Sequence, residues 1–296
     1  MEGRTMQITN KQNLPLAFVN AVSTEKHNKD GEYSATTLNK GVKEIILTKR
    51  HWDKLTDDVA DRVWAVWGAA VHALFEAQKD NCFHEERFSI PVLQSVVTGQ
   101  VDSYDMEKGI INDWKTASAW KVIMSDFEDW KKQGMTYAWL LTQNGLTVNK
   151  CRFIALLKDH SKTKAKTDRQ YPQSPVFIYE FDVTKAMLAE AEARIFSKVK
   201  EIEAAEKMSD DDILPCTASE RWADGEKWAV MKSGRKTAVK LFDAQDDADA
   251  HAKELGEKHY VEHRPAVSRK CNDYCTCKDL CNFYKQMQEG GTGCAL

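Results

Sequence analysis

The 296-residue chain has no apolar run long enough to cross a bilayer: the most apolar stretch, 63–75, is interrupted by His72 and falls short of the ~20 residues a spanning helix needs. An export signal is also missing. Residues 1–10 are polar and carry no apolar h-region, so a cytoplasmic protein is expected. Positive charge is not in excess. With 42 Lys+Arg against 45 Asp+Glu the formal net charge is −3, which excludes a uniformly basic coat and confines any nucleic-acid contact to a local patch. The chain has no internal repeat, no low-complexity segment longer than one acidic stretch, and no ATP-binding P-loop, so a nucleotide-driven motor would have to be a separate chain.

What is there is the composition of a folded protein. At 42% hydrophobic and 29% charged residues wholesale disorder is excluded, and the length admits one large domain or two smaller ones. The cysteines are unevenly placed. Of eight, five (Cys271, Cys275, Cys277, Cys281 and Cys294) lie from 271 onward, and in a reducing cytosol such clustering favours metal binding over disulfides.

Along the chain, the first fifty residues are polar, with a turn at Asn28-Lys29-Asp30-Gly31 and a cap at Ser34 or Thr36 leading into a short amphipathic helix. Val59, Val63, Val66/Trp67, Ala70/Val71 and Leu74/Phe75 recur at helical spacing, which predicts one long, mostly buried helix over 57–78. Strands are expected over 83–92, 95–105 and 109–116, the last two forming a hairpin closed around Glu107-Lys108-Gly109. Residues 117–142 return to a helical pattern, with a break near Gln133-Gly134, and the apolar, β-rich runs 151–158 and 175–182 complete the sheet. Thr184 caps a helix over 184–208, and the acidic Ser209-Asp210-Asp211-Asp212 reads as a linker. Beyond it, 227–231, 237–242, a helix over 244–255 and 260–263 suggest a small ββαβ annex before the Cys-rich tail. This order implies an α/β fold with a mixed sheet flanked by helices, divided into a core with an N-terminal extension (1–208) and a C-terminal annex (209–296).

The hairpin carries the chemistry. Pairing around Glu107-Lys108 sets Asp102 opposite Asp113, a turn shifted to Lys108-Gly109 still leaves them diagonal neighbours, and Lys115 shares the face of Asp113. Carboxylates that close repel unless something positive lies between them. Lys115 can serve, and Mg²⁺ or Mn²⁺, with oxygen ligands and open positions, serves better. Such a site can activate water and stabilise the charge that develops in phosphodiester hydrolysis. The plain alternative is a surface hairpin with a salt-bridged Asp-Lys pair, and an isolated D-x-K does not decide between them.

Two helix faces extend the pattern. Gly68, His72 and Glu76 are four apart, and a histidine inside an apolar run is either a hydrogen-bonded core residue or a metal ligand. Gln133 and Tyr137 are also four apart: an amide and a phenol able to hold a DNA phosphate and order the lysine, or else a core tyrosine beside an exposed glutamine.

In order, G-x3-H-x3-E (68–76), G-x-V-D (99–102), D-W-K (113–115) and Q-x3-Y (133–137) resemble the PD-(D/E)XK nuclease superfamily. The similarity is closest to its RecB-like branch, with RecB and AddB nuclease domains, CRISPR-associated exonucleases and phage recombination exonucleases, and it covers about 34–208. Asp113 stands where many relatives carry Glu; the superfamily tolerates either. The resemblance implies a restriction-endonuclease-like αβββαβ core and a metal-dependent DNA nuclease, foremost an exonuclease in phage-type recombination or repair. It assigns the metal to His72, Asp102, Asp113 and the main-chain carbonyl of Trp114, makes Lys115 catalytic, gives Gln133 and Tyr137 to DNA support and leaves Glu76 a lesser role. Its partners would be DNA and a separate recombinase, single-strand-binding protein or helicase, in the host cytoplasm if the chain is phage-encoded. A catalytically inactive DNA-binding or assembly protein of the same fold, and a structure-specific endonuclease, are the competing readings.

Cys271-x3-Cys275-x-Cys277-x3-Cys281 suits a thiolate-ligated Zn²⁺ or iron–sulfur cluster that staples the annex. AddB-type and CRISPR-associated relatives hold a [4Fe–4S] cluster with one early and three late cysteines, the late group spaced like Cys271, Cys275 and Cys281. No cysteine precedes His72 here, so the fourth ligand falls to Cys216, to Cys82 or to the tail itself. Cys216 is favoured, because Glu220-Arg221-Trp222, 227–232 and Gly234-Arg235-Lys236 look similar to phage nucleases of the superfamily; unligated thiols are the alternative. Two basic clusters, Lys158/Lys162/Lys164/Lys166/Arg169 and Lys227/Lys232/Arg235/Lys236/Lys240 with Trp222 and Trp228 nearby, are either phosphate contacts or solvated faces.

Overall fold

In the computed structural model, which describes residues 6–23 and 29–289, the elements begin with β1 (Gln7–Thr9), α1 (Leu16–Val22), β2 (Glu32–Ser34), α2 (Val42–Arg50), β3 (Thr56–Asp58) and α3 (Val63–Glu76). Asn28 of the expected turn and Cys294 of the tail lie outside the described residues. There follow β4 (Phe83–Val92), β5 (Ser95–Asp105), β6 (Ile110–Ala117), α4 (Ala119–Met124), α5 (Glu128–Gln143), β7 (Lys150–Leu157), α6 (Lys162–Thr167), β8 (Val176–Asp182) and α7 (Lys185–Ala205). The remainder forms β9 (Ala223–Asp224), β10 (Lys227–Lys232), β11 (Lys240–Phe242), α8 (Gln245–Leu255), β12 (His259–Arg264), β13 (Val267–Ser268), α9 (Arg269–Asp273) and α10 (Asn282–Glu289). Among the described residues no helix is long and apolar enough to cross a membrane.

The chain divides into two compact units, one of Met1–Lys40 with Asp53–Lys207 and one of Gly41–Trp52 with Met208–Leu296. The first is built on a mixed sheet of order β2-β5-β6-β7-β8, with β4 paired to β5. Strands β6 and β7 run parallel, as do β2 and β5, while β4/β5, β5/β6 and β7/β8 are antiparallel. Helix α5 packs on the sheet and against α7. Covered on both sides, it buries every residue from Gly134 to Leu141. Along β7, Cys151, Phe153, Ala155 and Leu157 are buried and their neighbours half-buried, the alternation of a strand with one face on the core.

Two expectations for this unit are corrected. The helix predicted over 57–78 starts only at Val63, because Thr56–Asp58 leaves it to pair with β1, and none of its residues is buried. Its apolar residues run right round the helix, so one stripe meets the sheet and Trp64, Trp67 and Leu74 remain more than half exposed. The break expected at Gln133-Gly134 falls instead between α4 and α5, where Ser125 takes a left-handed φ of 52°. Gly134 is a packing glycine rather than a helix breaker: a Cβ there would stand 2.9 Å from Phe153 Cζ.

The second unit has a three-stranded antiparallel sheet, order β11-β10-β12, with α8 packed on it around Val230, Ala248 and Ala252. Helix α2, assigned to the core on sequence, belongs to this unit. The acidic segment read as a linker is anchored rather than loose. Buried Lys43 donates to the carbonyls of Asp210 (2.9 Å) and Ile213 (2.7 Å), and the Asp210 carboxylate meets Arg50 at 2.6 Å and His51 at 2.5 Å. A carboxylate held by a guanidinium and an imidazole fixes the backbone that carries it.

Candidate active site and cysteine cavity

One edge of β5 is taken by β4 along residues 95–104. The other is shared by β2, which pairs at 96–98, and β6, which pairs at 103–105, so Gly99–Asp102 lies unpaired between them. The hairpin has the expected register (Ser103 opposite Asn112), yet the ladder stops there and the strands part at Asp102 and Asp113. Asp102 bridges the opening, its Oδ2 accepting from the Trp114 N–H at 2.7 Å. On the other side Gly99 admits α5: a Cβ there would meet Leu140 Cδ1 at 2.7 Å and Tyr137 Cδ1 at 2.8 Å. The glycine thereby sets the height of Tyr137, and through it that of Gln133.

At the opening three side chains converge. His72 presents Nδ1 to Asp102 Oδ1 (3.3 Å) and Glu85 Oε1 (3.4 Å), and Nε2 to the Trp114 carbonyl (3.1 Å). With oxygen acceptors at both nitrogens the doubly protonated ring is favoured, and the hydrogen bond to Asp102 pushes the His72 pKa up to about 9 against the opposing effect of burial. Ligand atoms of His72, Glu85 and Asp102 all lie within 4.8 Å of one another, a spacing that suits one cation.

Glu85 is the member that sequence reading missed. It sits opposite Asp102, between the paired residues His84 and Glu86, in a left-handed conformation (φ 51°), and its carbonyl is taken by the Gln100 side chain at 3.1 Å. A non-glycine residue held there costs on the order of 1–3 kcal/mol, which the surrounding contacts must offset. Burial first, then the Asp102 charge, raises the Glu85 carboxyl above its usual range. Glu76, by contrast, is exposed and outside the triplet.

A second chain of contacts runs from β6 to α5. Lys115 Nζ lies 2.6 Å from Asp113 Oδ1 and donates to Gln133 Oε1 at 2.9 Å, and Gln133 Nε2 donates to Tyr137 Oη at 2.8 Å. Asp113 is buried, and its Oδ1, although in ionic contact with the lysine, has no aligned hydrogen bond. Burial, with Asp102 adding to it and Lys115 opposing it, lifts the Asp113 carboxyl to about 6. An acid that costly to ionise is the kind of group a cation would relieve. The residues expected as metal ligands thus fall into two neighbouring sets: His72 and Asp102 with Glu85, and Asp113 with Lys115. The Trp114 carbonyl faces His72 between them in sequence.

In the second unit Cys216, Cys271, Cys275, Cys277 and Cys281 line one small cavity of about 30 Å³ walled by Lys43, Glu44 and Leu47 of α2. Of the two earlier cysteines considered for a fourth ligand, Cys216 is here and Cys82 belongs to the first unit. Cys275 and Cys277 stand 3.6 Å apart, and the hydrogen bond from Cys277 lowers the Cys275 thiol to about 7. Burial pushes Cys271 to about 11 and Cys216 to about 12. Gly41 allows the close approach of Cys216, since a Cβ there would fall on its Sγ.

The first basic cluster is spread over the exposed connection from β7 to β8, with Lys162, Lys164 and Lys166 in α6 and Lys158 stacked on Trp64. In the second, Lys227 pairs with Asp243 and Lys240 lies over Phe242.

No protein-family model matches the chain, and no curated protein matches it. Among solved structures it is similar to an alkaline exonuclease, LHK-Exo, from Laribacter hongkongensis (12% identity, 60% of this chain and 90% of that one, TM-score 0.38). It is also similar to a phage-related exonuclease from Haemophilus somnus 129PT (16% identity, 60% and 96%, TM-score 0.32). At these scores neither likeness bears on function, which rests on the geometry of the site itself.

Proposed function

We propose that the chain is a metal-dependent DNA nuclease of the PD-(D/E)XK type, an exonuclease that hydrolyses phosphodiester bonds at DNA ends in phage-type recombination or repair. The observation that carries this reading is the convergence of the His72, Glu85 and Asp102 side chains with a buried Asp-Lys pair where β5 and β6 part. The donors fit a hard divalent cation: clustered carboxylate oxygens, one imidazole and a buried carboxylate oxygen lacking an aligned hydrogen bond. Asp102, Asp113 and His72 would hold it with the Trp114 carbonyl, and Glu85 lies in one group with His72 and Asp102. Bound Mg²⁺ or Mn²⁺ supplies Lewis-acid polarisation of the scissile phosphate and lowers the pKa of water.

The remaining chemistry belongs to the chain. Lys115 has three donors, of which Gln133 takes one while Asp113 faces the charge. A free donor is left for an attacking water or a phosphate oxygen, and the ammonium offsets negative charge developing on the phosphorus substituents. Gln133, fixed by Tyr137, keeps the lysine from swinging away.

The five cysteines complete the proposal as a cofactor site, with Cys216, Cys271, Cys275 and Cys281 as ligands. Among the described residues no three thiols lie within 4.8 Å of one another. Around one tetrahedral zinc with ~2.3 Å bonds the sulfurs would crowd to roughly 4 Å. Thiolate ligation suits a [4Fe–4S] cluster or Zn²⁺.

Calorimetric titration with Mn²⁺ tests the reading. At least one ion should bind to the wild type, and Asp102→Ala should lose it. Absence of any Asp102-sensitive site would leave a DNA-binding protein that keeps the fold without the chemistry.

A further inference from the structure

Helix α3 packs on the sheet along one stripe and also meets α1. His72 reaches the Trp114 carbonyl, Phe75 packs on the Trp114 ring at 4.6 Å between centroids, and Gly68 lies close enough that a Cβ would touch Thr116 at 3.7 Å. At the N-terminal end of that stripe Trp64 is 56% exposed, and beside it, one step round the helix, Trp67 is 53% exposed. Each indole presents a large apolar face to water, a standing cost that folding alone does not explain. The face is not purely apolar in character: Lys158 Nζ lies 3.8 Å above the centre of the Trp64 ring. No acidic residue occurs in α3 before Glu76.

We propose that this face is a stacking platform for unpaired nucleotides of single-stranded DNA, with Trp67 and the side of Trp64 not covered by Lys158 receiving bases and Lys158 the backbone. The chemistry matches one occupant. Indole faces accept any base, a lysine beside them meets phosphate, and a helix face free of acids does not repel the strand. A second copy of the chain fits less well, since a stable interface buries ~800 Å² per partner and two half-exposed indoles with Leu74 offer a fraction of that. Position supports the assignment. Trp64 precedes His72 by two helical turns, about 12 Å along the axis at 1.5 Å per residue, which spans roughly three to four stacked nucleotides from the metal-binding triplet. The platform rests on the nuclease reading for its place in the reaction and makes the preferred substrate a strand with an unpaired end.

The test is binding without cleavage. Fluorescence anisotropy of labelled oligodeoxythymidylate in EDTA should give about ten-fold or greater weakening for the Trp64→Ala/Trp67→Ala double variant, most of it restored by Trp64→Phe/Trp67→Phe, with blunt duplex affinity unchanged. Quenching of the wild-type indole emission by the same oligonucleotide should accompany binding and covers the case of a misfolded alanine variant. Unchanged single-strand affinity in the folded double variant, absence of quenching, or a wild-type dimer in sedimentation that the double variant dissolves would each overturn the platform. Loss of the platform effect with cleavage still abolished by Lys115→Ala would sink this proposal alone. A platform effect without any metal-dependent cleavage would sink the nuclease reading alone.

Discussion

His72 is the residue on which the electrostatics of the metal-free site turn. Its folded pKa of about 9 exceeds the ordinary 6.5, so its contribution to stability is full below pH 6.5 and is lost as pH rises through about 9. Asp113, lifted to about 6, acts in the same direction lower down: the native state holds its proton longer than the unfolded chain, so stability also declines between pH 3.8 and 6. The urea midpoint in EDTA should therefore fall from pH 6.5 to 9, and His72→Gln should flatten that slope. A midpoint that holds or rises would contradict the assigned partners. The placement of Asp113 beside Lys115 and of Gln133 beside Tyr137 is legible in sequence because spacing of two and four residues specifies a shared strand or helix face, and that of Asp102 near Asp113 because the hairpin turn sets the register. Glu85 was not legible. Its place depends on a left-handed backbone inside a strand, which no side-chain periodicity announces.

At the scale of elements, the opening between β5 and β6 is held by side chains as much as by backbone. The Asp102 bond to the Trp114 N–H spans it, and α5 settles onto Gly99 beside it. Gly99→Ala should thus cost roughly 1–3 kcal/mol from overpacking and displace Tyr137 and Gln133, lowering activity beyond what the stability loss explains. A chemical-denaturation midpoint equal to wild type would mean that α5 does not rest there. Strand bounds were legible to within a residue or two for β4 to β8, where alternation and turn residues agree. The α3 reading failed for a physical reason: an apolar count predicts burial only when a partner exists to cover each face, and here the sheet and α1 leave Trp64, Trp67 and Leu74 more than half exposed. Gly134 misled in the opposite sense, since a glycine in a helical pattern marks either a break or a close approach and Phe153 decides for the latter.

At the scale of the whole molecule, the near-neutral charge is an average over an acidic site and local basic clusters. The division into two units shows why the cysteines were only half legible: the tail spacing is visible in sequence, but the cavity is completed by α2 and Cys216, far away along the chain. Anaerobically purified protein should be brown and contain iron and acid-labile sulfide, and Cys216→Ser or Cys281→Ser should lose both along with thermal stability of the second unit. Colourless protein carrying one zinc would replace the cluster, and protein with neither would leave the thiols free. The central claim is that the Asp-Lys pair at the strand opening hydrolyses DNA. It is tested most directly by incubating end-labelled linear DNA with Mg²⁺ and the wild type, Asp113→Ala or Lys115→Ala, each confirmed as folded by circular dichroism. The account predicts degradation by the wild type, none in EDTA, and none by either variant; degradation retained in both folded variants would contradict it.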